Sequence, residues 1–207
     1  MLRNAALLLA LLAIAPAAPA QRDVFELEDT VTVVVVGREL VAHAVNRGSS
    51  KLRLETGERL IWSGASGRIG FAVTDRRVLG FHRSTGWSER RLRIAEASPQ
   101  RPELGPRLAL FVTSKRAIAY DGHWREESIG PQEGVFTAEV GTAAALVVTN
   151  RRALGISPRS GFVPVKLHIH ERIETARTVA ASAEVTTSQR VLFFSGSAWT
   201  EQRRSLY

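Results

Sequence analysis

The chain has 207 residues, with 28 lysines and arginines against 20 aspartates and glutamates, and no cysteine. Without cysteine there are no disulfides, no thiolate catalysis, no thiolate metal site and no lipid on a cysteine. The formal net charge of +8 leaves an anionic surface open as a partner. The excess is arginine spread along the chain, since the only lysines are Lys51, Lys115 and Lys166. A background preference for arginine accounts for it without a basic cluster, so nucleic acid is disfavoured.

Residues 1–20 read as a signal peptide. Arg3 supplies a positive start, residues 5–15 form an apolar run, and Ala18, Pro19 and Ala20 fit the small-x-small rule before cleavage, leaving Gln21 as the mature start. The run is too short to cross about 30 Å of hydrocarbon, and no later window is long and apolar enough. The expectation is an exported protein, periplasmic or secreted, whose residues 21–207 form one domain. No transmembrane segment is expected in the mature chain.

From there the chain repeats. FAVTDRRVLG at 71–80 returns as LFVTSKRAIA at 110–119 and LVVTNRRALG at 146–155, with weaker copies EVTTSQRVLF at 184–193 and VVVVGRELVA at 33–42. The threonine falls at Thr74, Thr113, Thr149 and Thr187, with Val36 in its place in the first copy. A period of 36 to 39 residues marks stacked or radially arranged units.

Each unit reads as short strands separated by turn chemistry, with no long helical stripe. The first offers strands at 24–27, 31–36, 39–45 and 51–54. The second offers 59–62, 69–74, 77–82 and 87–94. In the third, Pro99, Pro102 and Pro106 occupy the first strand, which predicts an irregular edge because proline cannot donate to a ladder. The fourth gives 135–140, 144–149, 152–156 and 162–168, and the fifth 175–179, 183–187, 190–194 and 199–204. Aromatic residues open the last strand at Trp87, Trp124, Phe162 and Trp199. Glutamates close the units at Glu58, Glu96, Glu133 and Glu171.

Five units of four antiparallel strands over residues 22–207 resemble the blades of a β-propeller, although no WD dipeptide, kelch double glycine or Asp-box is present. The resemblance implies an all-β, five-bladed propeller of four-stranded antiparallel blades. The aliphatic runs at 71–73, 110–112 and 146–148 suit the innermost strands. Each strand before such a run would then be the outer strand of the previous blade, and residues 24–27 would pair with the last blade to close the ring. Two other resemblances weigh less. The Val-Thr-x-Arg-Arg pattern looks like a turn of pleckstrin-homology-like domains but spans about ten residues, and the unit is too short for a domain of about 100 residues. A β-solenoid would show shorter internal repeats.

Candidate ligand-binding residues fall in two series. Arg77, Arg116, Arg152 and Arg190 follow the repeated turn and could hold a carboxylate or phosphate. The competing reading pairs each with a unit-closing glutamate. Its recurrence in every unit favours that structural role, because sites on repeat scaffolds arise from what differs between units. Trp87, Trp124 and Trp199 could stack on a glycan, though an aromatic at a fixed strand position more often fills space between sheets. Trp62, outside the series, reads as core. His168 and His170 would share a strand face, too few ligands for zinc. Neither a nucleophile elbow nor a catalytic triad spacing appears. No metal, cofactor or catalytic residue is assigned, and an enzyme is the minority reading. The expectation is an exported binding or scaffold protein for a glycan or protein of the envelope, or an anion-binding module, with a hydrolase bearing an axial site as the weakest option.

Overall fold

The computed structural model describes residues 30–93, 96 and 101–204. Among them there is no helix. Nineteen strands form five antiparallel sheets. The first sheet holds β1 (Val31–Val36), β2 (Glu39–Ala44) and β3 (Gly48–Arg53). The second holds β4 (Leu60–Ser66), β5 (Ile69–Thr74), β6 (Arg77–His82) and β7 (Gly86–Arg91). The third holds β8 (Glu103–Leu104), β9 (Ala109–Val112), β10 (Arg116–Tyr120) and β11 (Trp124–Ser128). The fourth is β12 (Val135–Val140), β13 (Ala145–Thr149), β14 (Arg152–Ser157) and β15 (Gly161–Lys166). The fifth is β16 (Ile173–Val179), β17 (Ser182–Thr187), β18 (Arg190–Phe194) and β19 (Trp199–Arg203).

Each four-stranded sheet is a meander in chain order, and each sheet packs against the next. Among the described residues the expected strands form in every unit. In the third, β8 is cut to two residues among Pro102 and Pro106, as the missing proline donors require. The strand expected at 24–27, and with it the proposed closure, lies outside the described residues. So does Ile94, expected at the end of the second unit.

The aliphatic runs are not innermost. Phe71 lies in β5, whose partners are β4 and β6 in the same sheet. The strand before each run thus belongs to the run's own blade. First strands pack on first strands of neighbouring blades, β4 on β8 and β12 on both β8 and β16, so these line the axis. The runs are aliphatic for another reason. A second strand is covered on both faces by the flanking blades, and β5, β9 and β13 are buried at every residue. Strands buried on both faces read as continuous apolar runs wherever they sit. The core is accordingly divided into clusters between blades. One joins Leu110 and Val112 to Ala145, Val147 and Leu154, and another joins Leu146 and Val148 to Val185 and Phe194.

His168 and His170 are not on a strand. β15 stops at Lys166, and His170 sits in a turn with φ of 68°.

Candidate functional site

The meander gives every blade two ends. The turn between second and third strands and the crossing to the next blade lie at one, here the lower end. The turns between first and second and between third and fourth strands lie at the other.

The repeated Thr-x-x-Arg turn builds a clasp at the lower end. The hydroxyl of Thr113 accepts the amide N–H of Lys115 and Arg116. It thereby satisfies donors that the turn leaves unpaired. Thr74, Thr149 and Thr187 do the same. The arginine then grips the glutamate that precedes the blade. Arg116 donates from Nε and Nη2 to Glu96 at 2.6 and 2.8 Å, and Arg77 to Glu58 at 2.8 Å through both. Arg152 with Glu133 and Arg190 with Glu171 repeat this two-point geometry. Each Nη2 also donates to a carbonyl on the last strand of the preceding blade, at Arg53, Arg91, Ser128 or Lys166. One side chain thus ties two blades. A further carboxylate takes the remaining nitrogen: Glu89, Glu126 and Glu201 lie on the arginine's own blade. In the fourth blade Pro164 stands opposite Leu154, where the other blades place that glutamate, and Arg152 turns to Glu127 of the third blade instead.

The glutamates are buried to the carboxylate, with Glu58, Glu96 and Glu171 side chains at 0% exposure. Burial alone would raise the Glu58 carboxyl, but hydrogen bonds from Arg77, Thr74 and the Glu55 amide outweigh it and hold the group at about 2. Glu96, Glu133 and Glu171 are lowered by the same balance. Among the described residues no buried side-chain nitrogen or oxygen lacks a partner.

The aromatic series lies between blades. The indole N–H of Trp87 donates to the Ser50 carbonyl, that of Trp124 to Ser88 Oγ and that of Trp199 to the Val163 carbonyl, each on the preceding blade's last strand. The rings pack on neighbours: Trp124 is 4.5 Å from Tyr120, and Trp199 is 5.3 Å from Phe194. Trp62 packs against the cluster of Phe71 and Tyr120.

The upper end holds a cavity of about 470 Å³, within the size range of small-molecule sites. Its lining repeats two positions in four successive blades. Six residues before the conserved threonine stand Arg68, Arg107, Ala143 and Ala181; eight after it stand His82, Asp121, Ser157 and Ser195. Pro158, Arg159, Gly196 and Ser197 complete the wall. The clasp is constant through blades two to five, whereas the cavity positions change along them, the first from arginine in blades two and three to alanine in four and five. The cavity rim is braced by backbone bonds across blades: Val31 N–H to Gly67, Arg68 N–H to Pro106 and Ala143 N–H to Ala180. The second of these sets the Arg68 and Arg107 turns side by side.

The cavity is cationic. Arg68, Arg107 and Arg159 are exposed at its wall. Among the described residues, Arg107 and Arg159 have no ion pair or side-chain hydrogen bond. The one carboxylate, Asp121, is already held by Arg125 Nη2 at 3.1 Å. Ser157 Oγ is turned into the wall, bonding the Gly196 carbonyl and Ser160. The turn arginines of the sequence series are thus carried to the lower end and paired, while the arginines at the cavity were not singled out from sequence. The signal available was a fixed offset from the threonine carrying residues that do not repeat in every unit.

No family model matches the chain, and no curated protein matches it. Among solved structures it is similar to Prp20p from Saccharomyces cerevisiae, described with its binding to Gsp1p and histones, at 9% identity and a TM-score of 0.42 over 80% of this chain and 55% of that one. BamB from Moraxella catarrhalis gives 11% and 0.38 over 84% and 58%, and apo AztD from Citrobacter koseri 14% and 0.38 over 84% and 60%. The chain spans a little over half the length of these proteins. Its own architecture fixes the fold: repeated antiparallel meanders stack face to face, their first strands along an axis and their turns around a shared mouth. The chain is a β-propeller-type repeat protein of five blades.

Proposed function

We propose that this protein is a binding module that captures an anionic group of an envelope partner in its upper cavity. The observation that carries the reading is the cationic lining: arginines from three blades around about 470 Å³, of which Arg107 and Arg159 have no ion pair or side-chain hydrogen bond among the described residues, and a single lining carboxylate among those residues, Asp121, held by Arg125. Guanidinium groups on a braced rim are preorganised for carboxylate or phosphate, so less ordering entropy is lost on binding. The clasp arginines Arg77, Arg116, Arg152 and Arg190 would have to leave their glutamates to bind the same group, and a buried charge left behind is costly. The tryptophan series has its indole N–H groups engaged between blades, so glycan stacking there would add to a packing role. Residues 1–20 support export, and mass spectrometry of the secreted or periplasmic chain should find Gln21 at its start.

The test is titration calorimetry with inorganic tripolyphosphate across a salt series. Parent protein should bind, and binding should weaken as salt rises. The triple variant Arg68→Ala, Arg107→Ala, Arg159→Ala should lose at least about tenfold, since each charge-assisted bond contributes on the order of 1.5–3 kcal/mol. Arg151→Ala, on the lower end, should bind as the parent does. Affinity indifferent to the triple change would remove the cavity from the reading.

A further inference from the structure

Blades two, three and four each give the cavity an arginine, Arg68, Arg107 and Arg159, and blade five gives none. Blades two and three give Arg68 and Arg107 from turns joined by a backbone hydrogen bond. At the same positions blades four and five give Ala143 and Ala181, and beside them Ser195, Gly196 and Ser197. Ser195 and Ser197 are exposed, and Gly196 and the alanines leave room. The blade-five side, opposite the Arg68 and Arg107 turns, is therefore small, polar and hydroxyl-bearing.

That asymmetry constrains the ligand. An apolar tail would find only Pro158 and the two alanines in the wall. A nucleotide base would find no tryptophan, tyrosine or phenylalanine to stack on, because those rings are committed between blades. A second cation would face Arg159. What fits opposite the arginine pair is an uncharged group that donates and accepts several hydrogen bonds. Resting on the cavity reading above, we infer that the ligand is an acidic carbohydrate: a sugar whose carboxylate or phosphate lies between Arg68 and Arg107 and whose hydroxyls face Ser195 and Ser197. Recognition here runs through hydrogen bonds to a fixed rim, and two arginines on adjacent turns set the ligand's direction across the blades.

The experiment compares four probes by calorimetry on the full chain: a glucuronate-containing disaccharide, glucose 6-phosphate, neutral maltose and inorganic tripolyphosphate. At least one of the two acidic sugars should bind at least about tenfold more tightly than maltose, and their ranking tells carboxylate from phosphate. The variant Ala143→Arg, Ala181→Arg extends the cationic side over the small side. It should bind tripolyphosphate more tightly and the preferred acidic sugar about tenfold more weakly, whereas a site reading charge alone would gain for both. Circular dichroism of the variant should match the parent, since both positions are surface turns. Gains for both probes overturn the carbohydrate inference and leave the anion reading standing, as does parent protein that binds tripolyphosphate but neither sugar. Absence of binding to every probe overturns both.

Discussion

At the scale of single residues, the clasp sets how the protein answers to acid. Four carboxylates are held below their usual range, Glu58 at about 2, by donors that exist only in the folded chain. The folded value lies below the unfolded one, so the unfolded chain binds protons first as pH falls. The Glu58 clasp therefore contributes stability that is present above about pH 4.5 and is lost as pH drops toward about 2, and the other three lose theirs in the same direction. Thermal midpoints should be flat from neutrality to about pH 5 and then fall, and Glu58→Gln should flatten that acid limb. Breaking one clasp at neutral pH is a different matter, because Glu96→Gln takes away the buried partner of Arg116 and leaves it only the partly exposed Glu126. A cost of about 3–5 kcal/mol is expected in urea unfolding. Replacing both residues, Glu96→Gln with Arg116→Met, should cost less than the two single changes summed, since no charge is then stranded. Strict additivity would mean that the pair acts through packing alone.

At the scale of the strand, one blade fits the next by a large-into-small contact. Tyr120 of β10 lies over Gly80 of β6, and Phe194 of β18 over Gly155 of β14. A Cβ at Gly80 would meet the Tyr120 ring at 2.6 Å, and one at Gly155 the Phe194 ring at 2.5 Å. Gly155→Ala should destabilise by about 1–3 kcal/mol through overpacking, and Phe194→Leu beside it should recover part of the loss. Equal stability of Gly155→Ala and parent in urea melts would show that the blades slide apart freely. The sequence carried much of this scale. The threonine and arginine recur because the second-to-third strand turns of blades two to five need the same hydrogen bonds, and a need repeated four times leaves a period that can be read. Burial was legible too, but its cause was misjudged: runs such as 146–148 are aliphatic because blades cover both faces, not because they line the axis. The cavity was the least legible feature. Arg68 and Arg107 share a position with Ala143 and Ala181, so the position changes chemistry halfway along the chain and a search for residues repeated in every unit passes over it.

At the scale of the whole molecule, the stack must also end, and its two end blades differ from those between them. The face that a blade offers to the next carries Ile69, Phe71 and Val73 in the second blade, Leu108, Leu110 and Val112 in the third, and Ala144, Leu146 and Val148 in the fourth, all buried. In the fifth the matching residues are Ser182, Glu184 and Thr186, and Glu184 pairs with Arg177 on the same face. The position of Gly80 and Gly155, which receives the next ring, is filled by Phe193, 40% exposed. On the first blade, His43 stands where later blades send Phe81, Tyr120 or Phe194, and it is exposed. Among the described residues, no substantial strand packing joins the fifth blade to the first. Terminal repeats with polar outer faces keep quasi-one-dimensional proteins soluble, since an apolar end would accept another copy. Among the described residues the outer face of the fifth blade follows that rule, with three polar exchanges and one bulky residue. Restoring the internal pattern with Ser182→Leu, Glu184→Leu, Thr186→Val and Phe193→Gly should reopen the socket and expose an apolar sheet face. Sedimentation velocity should then show association that grows with protein concentration, while Ser195→Ala, outside that face, sediments as the parent does. If the reopened variant stays monodisperse at every concentration at which it remains folded, its polar exchanges are neutral surface changes and the end of the stack is set elsewhere.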